Sequence, residues 1–434
     1  MVGTLAPPAE TAVVSLREQA GAARTAARSL ARAGDPARSE ALRQVARRLR
    51  ERQGILLAAN AEDVGRERGS GATASALDRL SLTPARLEAM AQDVLDVADL
   101  PDPLGEMGPL RALPNGMLVG QRRAPLGVIA VIYEGRPNVT VDAAVLCLKA
   151  GNAVVLRGSS SAIASNRALA ALLRDAVDAA GLPGDAVQFV DSTSRDSVGE
   201  LLGLRGLIDV AIPRGGAGLI RYVAEHAVIP VIETGAGVCH TYIDESADPA
   251  MAEEIVFNAK VRRPSICNAL DTLLVDRAVA PTVLPQIARR LIDSGVTLHC
   301  DPAALATLRA CGLADGQLPA TDDDWGHEYL SLDAAVGLVD GLDGALEHIA
   351  QHGSGHSEAI VTNRHDRAMR FLEEVDAAAV YVNASTQFTD GAQFGLGAEI
   401  GISTQKLHAR GPMGLREITT YKWVVLGSGQ VRPL

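Results

Sequence analysis

Residues 127–156, with the sequence GVIAVIYEGRPNVTVDAAVLCLKAGNAVVL, decide the fold of this chain. The apolar run at 127–133 predicts a buried strand, the helical spacing over 139–150 predicts a helix, and 153–156 predicts a second strand. A strand, a helix and a strand in immediate succession indicate a βαβ unit, in which the two strands are parallel. The segment therefore predicts an α/β fold with a parallel sheet.

The same alternation extends in both directions from this segment. Before it, residues 10–100 have the spacing and the Gly/Pro punctuation of a series of helices. After it we predict strands at 187–190, 207–212 and 228–232, and helices at 165–180, 197–202 and 219–226. A second α/β series is predicted from His240 to about Val382. Strands that alternate with helices in this way indicate parallel sheets covered by helices on both faces.

Two segments break the alternation. Asn115-Gly116 lies between two apolar stretches, and this dipeptide is a strong signal for a β-hairpin, here over residues 110–122. Residues 418–426 form an isolated strand pattern without a neighbour in sequence. We expect this strand to pair elsewhere in the chain or with another subunit.

The composition limits the classes of function. A chain of 434 residues exceeds the size of one compact core and predicts two or more domains. The net charge of -11 argues against general nucleic-acid binding, so a site for an anionic substrate requires a local basic patch. The five cysteines are scattered and include no CxxC pair, which is typical of a reduced, cytoplasmic protein. The apolar runs are too short to cross a membrane.

Cys267 is the candidate nucleophile. It follows Arg262-Arg263-Pro-Ser-Ile and lies downstream of the glycine-rich stretch Glu233-Thr-Gly-Ala-Gly-Val. A thiolate attacks carbonyl carbon readily, and neighbouring arginines favour the ionised form of a thiol. The alternative is a small buried apolar residue, which is the usual state of a free cysteine. The local sequence leaves both interpretations open.

Two glycine-rich or serine-rich turns follow predicted strands and precede predicted helices. In Ile212-Pro-Arg-Gly-Gly-Ala-Gly218 the glycines would let backbone amides approach a phosphate at a helix N-terminus, although a purely structural turn fits equally well. In Leu156-Arg-Gly-Ser-Ser-Ser161 a guanidinium and three hydroxyls suit an anion such as an adenosine 2′-phosphate. The serines could instead cap the following helix.

The order and spacing of residues 127–157, of Glu233-Thr-Gly-Ala-Gly and of Cys267 resemble the aldehyde dehydrogenase superfamily. Within it, residues 133–140, 339–360 and 395–414 are similar to the gamma-glutamyl phosphate reductase family. The resemblance implies an aldehyde-dehydrogenase-like α/β fold with a Rossmann-type cofactor domain, an α/β catalytic domain and a small β oligomerisation element. The implied boundaries are 1–106 and 126–233 for the NADP-binding domain, 234–417 for the catalytic domain, and 107–125 with 418–434 for the oligomerisation hairpin and strand.

The same resemblance implies the activity. The family reduces L-glutamyl 5-phosphate to L-glutamate 5-semialdehyde with NADPH and releases phosphate, through a cysteine thioester, in proline biosynthesis. The sequence contains no kinase-like domain, so the acyl phosphate would come from a separate glutamate 5-kinase, with which transient contact is plausible. A homo-oligomer is expected. The alternatives are a hydrolytic NAD(P)-dependent semialdehyde dehydrogenase and an inactive relative that serves as a binding protein.

The resemblance also assigns roles to residues. It makes Cys267 the nucleophile, Asn138 a candidate oxyanion-hole amide, and Glu233 either a general base or a structural, substrate-orienting carboxylate. Arg157 stands where a ribose-contacting lysine is usual, Ser160 stands where NAD-preferring relatives often carry glutamate, and Glu328 matches the glutamate that holds the nicotinamide ribose. The full cofactor set is Arg157, Ser159, Ser160, Arg214, Gly215, Gly216, Gly218 and Glu328. The candidates for substrate binding are Arg262, Arg263, Ser385, Thr386, Lys406, His408 and Arg410. For the arginines and Lys406, solvated surface charge is the alternative.

His348, His352 and His356 recur every four residues, a spacing that could suggest zinc ligands. Gly353 and Gly355 are expected to end the helix before His356, so the three side chains would not share one face. Neither a cysteine nor a carboxylate completes a ligand set. No metal site is predicted.

Overall fold

The computed structural model describes residues 14–433, and the protein divides into two compact units. Within the described residues, the first unit comprises 14–212, 225–231 and 419–433. The second unit comprises 213–224 and 232–418.

The described part of the chain opens with the predicted helices, which are α1 (Leu16–Leu30), α2 (Asp35–Glu51), α3 (Gln53–Gly69), α4 (Ala74–Leu80) and α5 (Pro84–Asp99). The elements that follow are β1 (Arg111–Ala112), β2 (Leu118–Pro125), β3 (Val128–Tyr133), α6 (Asn138–Lys149), β4 (Ala153–Arg157), α7 (Ile163–Ala179), β5 (Val187–Phe189), α8 (Asp196–Leu202) and β6 (Val210–Arg214). Ser15 caps α1 and forms a capping box with Glu18, which satisfies backbone donors at the helix start.

The second half of the chain is built in the same alternating manner. Its elements are α9 (Ala217–His226), β7 (Cys239–Ile243), α10 (Pro249–Val261), β8 (Leu270–Asp276), α11 (Ala280–Asp293), β9 (Thr297–Cys300), α12 (Pro302–Ala310), β10 (Gln317–Pro319), β11 (Asp333–Val339), α13 (Gly341–His352), β12 (Ser357–Val361), α14 (His365–Glu374), β13 (Ala379–Val382), β14 (Ile402–Ser403), β15 (Gly411–Pro412) and β16 (Thr419–Leu426).

The first unit contains a four-stranded sheet with the order β5-β4-β3-β6. Strands β3, β4 and β5 are parallel, and every residue of β3 and β4 is buried, as expected for strands covered on both faces. The predicted strand at 228–232 is wrong, because this stretch forms only one isolated bridge, from Val231 to Ala211. Pro230 has no amide hydrogen to donate to a ladder, although its carbonyl accepts from the amide of Ala211.

The predicted hairpin is present in a separate sheet of the first unit, with the order β1-β2-β16. Gly116 has a φ of 85° in the turn, a conformation that favours glycine. The terminal strand β16 pairs antiparallel with β2 over its whole length, from Thr419 opposite Pro125 to Leu426 opposite Leu118. The strand pattern at 418–426 therefore finds its partner within the chain.

The second unit is organised around a seven-stranded sheet with the order β10-β9-β11-β8-β7-β12-β13, in which all neighbouring strands are parallel. One large apolar core packs α10, α11 and α12 against it, and a second, smaller core includes α13 and α14. Strand β8, at the centre of this sheet, follows the loop that contains Cys267, and its neighbour β7 follows the glycine-rich stretch at 233–238. Among residues 14–433, no helix is both long and apolar enough to cross a membrane.

Candidate active site

Cys267 lies in the short loop that joins α10 to β8, and its side chain is partly buried. Gly237 approaches this loop so closely that a Cβ atom built on it would lie 1.6 Å from the carbonyl oxygen of Cys267. The thiol of Cys239 donates a hydrogen bond to the same carbonyl oxygen, with Sγ 3.3 Å away. The glycine-rich stretch and the cysteine, which are distant in sequence, therefore form one packed structure.

The surroundings of Cys267 keep its sulfur protonated at rest. Burial raises the pKa of the thiol to about 11, and the charges of Glu399 and Glu328 act in the same direction. Arg214 opposes them and lowers the pKa, as does the amide of Cys267 itself, which points at the sulfur. Arg214, rather than the adjacent Arg262 and Arg263, thus provides the strongest positive influence on this thiol. Thiolate formation requires a base or a change in the neighbouring charges.

Backbone hydrogen bonds fix the turn at 233–238. The amide of Gly237 donates to Oε1 of Glu328 at 2.9 Å. The amide of Glu233 donates to Oε1 of Gln405 at 2.7 Å. The hydroxyl of Thr234 donates to the carbonyl of Pro213 at 2.7 Å. Glu328, the candidate ribose-binding residue, is therefore connected directly to the glycine that packs on Cys267.

The turn after β6, which the sequence predicts to bind phosphate, leads into the start of α9. Residues 215–218 are exposed at the start of α9, where amide groups of a first helical turn point outward. Arg214 precedes them and packs beside Gly401, where an added Cβ would lie 3.4 Å from Nη1. Arg214 thus belongs to the second unit, as do both residues 215–218 and Cys267.

In the first unit, Arg157 and the serines after it form a basic, hydroxyl-rich cluster at the carboxyl end of β4. Arg157 is mostly buried and donates from Nη2 to the carbonyl of Ser194 at 2.9 Å. Burial lowers the pKa of its guanidinium, whereas Glu134 raises it. Ser159 accepts from the amide of Gly135 at 3.2 Å, and Ser160 is exposed. The cluster thus combines a guanidinium with hydroxyl groups, and position 160 carries no acidic side chain.

Asn138 is the first residue of α6, and its side-chain amide donates to Oδ2 of Asp142 at 2.8 Å. One N–H of this amide is therefore engaged within its own helix. A role as an oxyanion donor would use the second hydrogen of the NH₂ group.

The loop at 385–387 reaches the Cys267 loop. The hydroxyl of Thr386 donates to the carbonyl of Asn268 at 2.7 Å, and Arg262 donates from Nη1 to Oε1 of Gln387 at 3.1 Å. Ser385 is buried and accepts from the amide of Gln387 at 3.3 Å. Three of the candidate substrate residues, Arg262, Ser385 and Thr386, are thereby joined at the loop that carries Cys267, whereas Arg263 is exposed and only its carbonyl takes part, as an acceptor from Nε2 of Gln387 at 3.4 Å.

The other basic candidates are partly neutralised. Lys406 and Arg410 both form ion pairs with Asp376, at 2.6 Å and 2.7 Å. Hydrogen bonds from Lys406 and then Arg410 lower the pKa of that carboxyl group. Nε2 of His408 lies 3.1 Å from the carbonyl of Glu417. One carboxylate thus partly balances the positive charges of Lys406 and Arg410.

The sequence analysis missed Glu399, which acts on the charge of Cys267 and is partly buried. Burial raises the pKa of Glu399 to about 7, Arg214 lowers it, and the amide of Gly391 donates to Oε2 at 2.9 Å. The available signal was a carboxylate within the glycine-rich run Gly395-Leu-Gly-Ala-Glu399.

Comparisons with known proteins agree with this arrangement. The sequence profile of the aldehyde dehydrogenase family matches residues 5–303. The chain is 54% identical over 426 residues to a gamma-glutamyl phosphate reductase of Dehalococcoides mccartyi, covering 98% of this chain and 100% of that protein. It is 54% identical over 417 residues to one of Thermobifida fusca, covering 96% and 98%. The crystal structure of gamma-glutamyl phosphate reductase from Thermotoga maritima superposes with a TM-score of 0.93 at 44% identity, covering 96% of this chain and 99% of that one.

The parallel sheets, the glycine-rich turn and the cysteine at the head of β8 define an oxidoreductase of the aldehyde dehydrogenase fold, which confirms the predicted fold class. The chain belongs to the aldehyde dehydrogenase family and, within it, to the gamma-glutamyl phosphate reductases.

Proposed function

We propose that this protein reduces L-glutamyl 5-phosphate to L-glutamate 5-semialdehyde with NADPH and releases phosphate, as a step of proline biosynthesis. The environment of Cys267 carries this proposal, together with the full-length relatives of the chain, which are named gamma-glutamyl phosphate reductase. The Cys267 sulfur is approached by its own amide and by Arg214, and it lies in a loop packed on the glycine-rich turn.

The covalent step begins at the sulfur of Cys267. A C–S bond forms to the γ-carbonyl of the substrate, the bond between that carbon and the phosphate oxygen breaks, and phosphate leaves with the electron pair. The thiol proton must leave at the same stage. Glu399 is the candidate acceptor, because a pKa of about 7 suits a general base near neutral pH.

Charge that develops on the substrate oxygen requires donors. The amide of Cys267 already points at its sulfur and is the first candidate. The amide side chain of Asn138 is the second, on the family resemblance.

The cofactor assignment rests on the charge and exposure of its candidate residues. Arg157, Ser159 and Ser160 would hold the adenosine 2′-phosphate of NADP, and Glu328 would hold the nicotinamide ribose. The exposed turn after β6 would contact the diphosphate. When bound, NADPH would supply a hydride for the acyl carbon, and the sulfur of Cys267 would take back the electron pair of the C–S bond as the aldehyde is released. The corresponding domain assignment is NADP binding by 1–106 and 126–233, and catalysis by 234–417.

For substrate binding we favour the residues at the Cys267 loop. Arg262 and Arg263 supply positive charge there, and Ser385 and Thr386 shape the adjoining loop. Lys406, His408 and Arg410 remain the second group, with the ion pairs to Asp376 reducing their charge.

We further propose that the protein acts in the cytoplasm as a homo-oligomer and receives its labile substrate from glutamate 5-kinase. All five cysteines are unpaired, in keeping with a reducing compartment. Tyr421, Trp423 and Val425 of β16 are each more than half exposed, in keeping with an apolar face that another subunit covers.

The deciding experiment follows the reverse reaction, oxidation of glutamate 5-semialdehyde with NADP⁺, with and without inorganic phosphate. The proposal requires phosphate as the acyl acceptor, and the variant C267A should abolish turnover while it still binds NADPH. Oxidation that proceeds equally well without phosphate would identify a hydrolytic semialdehyde dehydrogenase instead. Phosphate-dependent turnover that survives in C267A would refute the covalent route.

A further inference from the structure

Lys260 and Asp271 form a buried ion pair. Lys260 precedes the loop that carries Cys267, and Asp271 follows it. The exposed fraction is 0% for Lys260 and 2% for Asp271, and Nζ lies 3.8 Å from Oδ1. Burying two charges is costly even when they are paired, and neither group has a part in the reaction proposed above. The cost of burying the two charges points to a role in holding neighbouring segments of the chain in place.

Lys260 closes the loop of the candidate nucleophile. It lies in the last turn of α10, and its Nζ donates to the carbonyl of Leu270, the first residue of β8, at 2.8 Å. The residues between these two positions include Cys267. One ammonium group therefore ties the beginning of the loop to its end.

Asp271 holds the two segments that face this loop. Its Oδ1 accepts from the amide of Tyr329 at 3.1 Å, and its Oδ2 accepts from the amide of Cys239 at 3.4 Å. Tyr329 directly follows Glu328, and Cys239 lies two residues after Gly237. Because the amide of Gly237 donates to Glu328, both ends of that hydrogen bond are held by the same carboxylate.

We propose that Lys260 and Asp271 are positioning residues that fix the sulfur of Cys267 relative to Glu328 and the turn at 233–238. Lys260 sets the span of the loop, and Asp271 sets the segments against which the loop packs. Cys239 links the two functions, because its amide is bound by Asp271 and its thiol donates to the carbonyl of Cys267. As far as turnover is concerned, the inference rests on the proposed function.

Each member of the pair stabilises the charged form of the other. Burial raises the pKa of Asp271 to about 7, and Lys260 lowers it. Burial also lowers the pKa of Lys260, and Asp271 raises it. The two acceptor bonds of Asp271 make asparagine an informative replacement. Its NH₂ group would face one of two backbone amides that already donate, so one segment would lose its partner while the shape of the side chain is kept.

The test compares D271N with D276N in the full-length enzyme. Asp276 ends the same strand, is buried, and accepts from the hydroxyl of Tyr242 at 3.1 Å and from the amide of Ala278 at 2.9 Å. Two quantities are measured, namely the rate of Cys267 alkylation by iodoacetamide, located by peptide mapping, and the separate kcat and KM for glutamyl phosphate. The melting temperature of each variant reports the loss of stability.

For D271N we expect kcat to fall about 10- to 100-fold with little change in KM, together with an altered alkylation rate, because misplacing the sulfur affects the transition state. D276N should lose a similar amount of thermal stability and keep wild-type kcat and alkylation. Equal kinetic losses in both variants, or none in D271N, would overturn the inference.

If D271N does not fold, K260M provides the second arm, since it keeps the length of the side chain and removes the bond to Leu270. It should alter kcat and alkylation in the same direction, and unchanged values would overturn the inference. The outcome is separable from the proposed function. Wild-type kinetics in D271N with an inactive C267A reject the positioning role alone, whereas turnover in C267A rejects the covalent reaction itself.

Discussion

Replacing Gly237 with alanine would place a methyl group almost on the carbonyl of Cys267. The added Cβ would lie 1.6 Å from that oxygen, and such contacts are essentially never shorter than 3.0 Å, so the two backbones must separate by at least the difference of 1.4 Å. Both are main-chain groups in packed segments and cannot give way by rotating a side chain.

A displacement of about 1 Å at reacting groups can lower a rate about 100-fold, which is about 2.7 kcal/mol in the barrier. Overpacking should also destabilise the fold by about 1–3 kcal/mol. We therefore expect G237A to fold with a lowered melting temperature and to lose at least about 100-fold in kcat for glutamyl phosphate reduction.

The matched control is Gly344 in α13 of the same unit. An added Cβ there would meet Cβ of Val339 at 3.4 Å, an ordinary contact, and alanine favours a helix by up to about 1 kcal/mol over glycine. G344A should keep wild-type kcat and gain stability. If G237A retained more than a tenth of the wild-type kcat, the packing of the glycine-rich turn on Cys267 would not limit catalysis, and the reasoning would be refuted.

Three further substitutions address single side chains. Because the pKa of Glu399 is raised to about 7, a general base at this position is active above that pH, so kcat/KM should decline as pH falls through 7. The variant E399Q should lose this inflection and about 100-fold or more in rate. An unchanged pH profile in E399Q would exclude Glu399 as the general base. S160E would set a carboxylate against a 2′-phosphate and should raise KM for NADPH about tenfold with little effect on NADH, whereas equal effects on both would contradict the cofactor assignment. E233Q should leave the ratio of thioester hydrolysis to reduction unchanged, because a reductase keeps water from its thioester and has no use for a general base at residue 233; a selective loss of hydrolysis, followed directly on the acyl enzyme, would instead reveal a general base.

Local patterns were sufficient for most of the fold. The apolar runs of β3 and β4 and the Asn115-Gly116 turn are properties of neighbouring residues, so the sequence predicts them correctly. The stretch at 228–232 has the same apolar character, but Pro230 cannot donate in a ladder, and the segment forms a single bridge. Val228 and Pro230 are exposed, so the apolar run overstates both the burial and the strand pairing of this stretch.

The candidate site was predictable only in part, because its electrostatics act through space. Cys267 was identified from its own surroundings in sequence, yet the guanidinium that most strongly lowers its pKa belongs to Arg214, 53 positions earlier. Glu399 and Asp271 were missed for the same reason. Each is an ordinary carboxylate in its own segment, and its importance appears only when separate strands and loops bring it to the cysteine or to the segments packed on it.

The raised pKa of Cys267 has a consequence for the lifetime of the enzyme. Peroxides and other adventitious electrophiles react with ionised sulfur far faster than with the neutral thiol, and a pKa of about 11 leaves very little ionised sulfur near neutral pH. We therefore expect the sulfur of Cys267 to react only slowly with electrophiles in the empty enzyme. Oxidative inactivation should be slow in the empty enzyme and should become a hazard only in states in which the proton has already been removed.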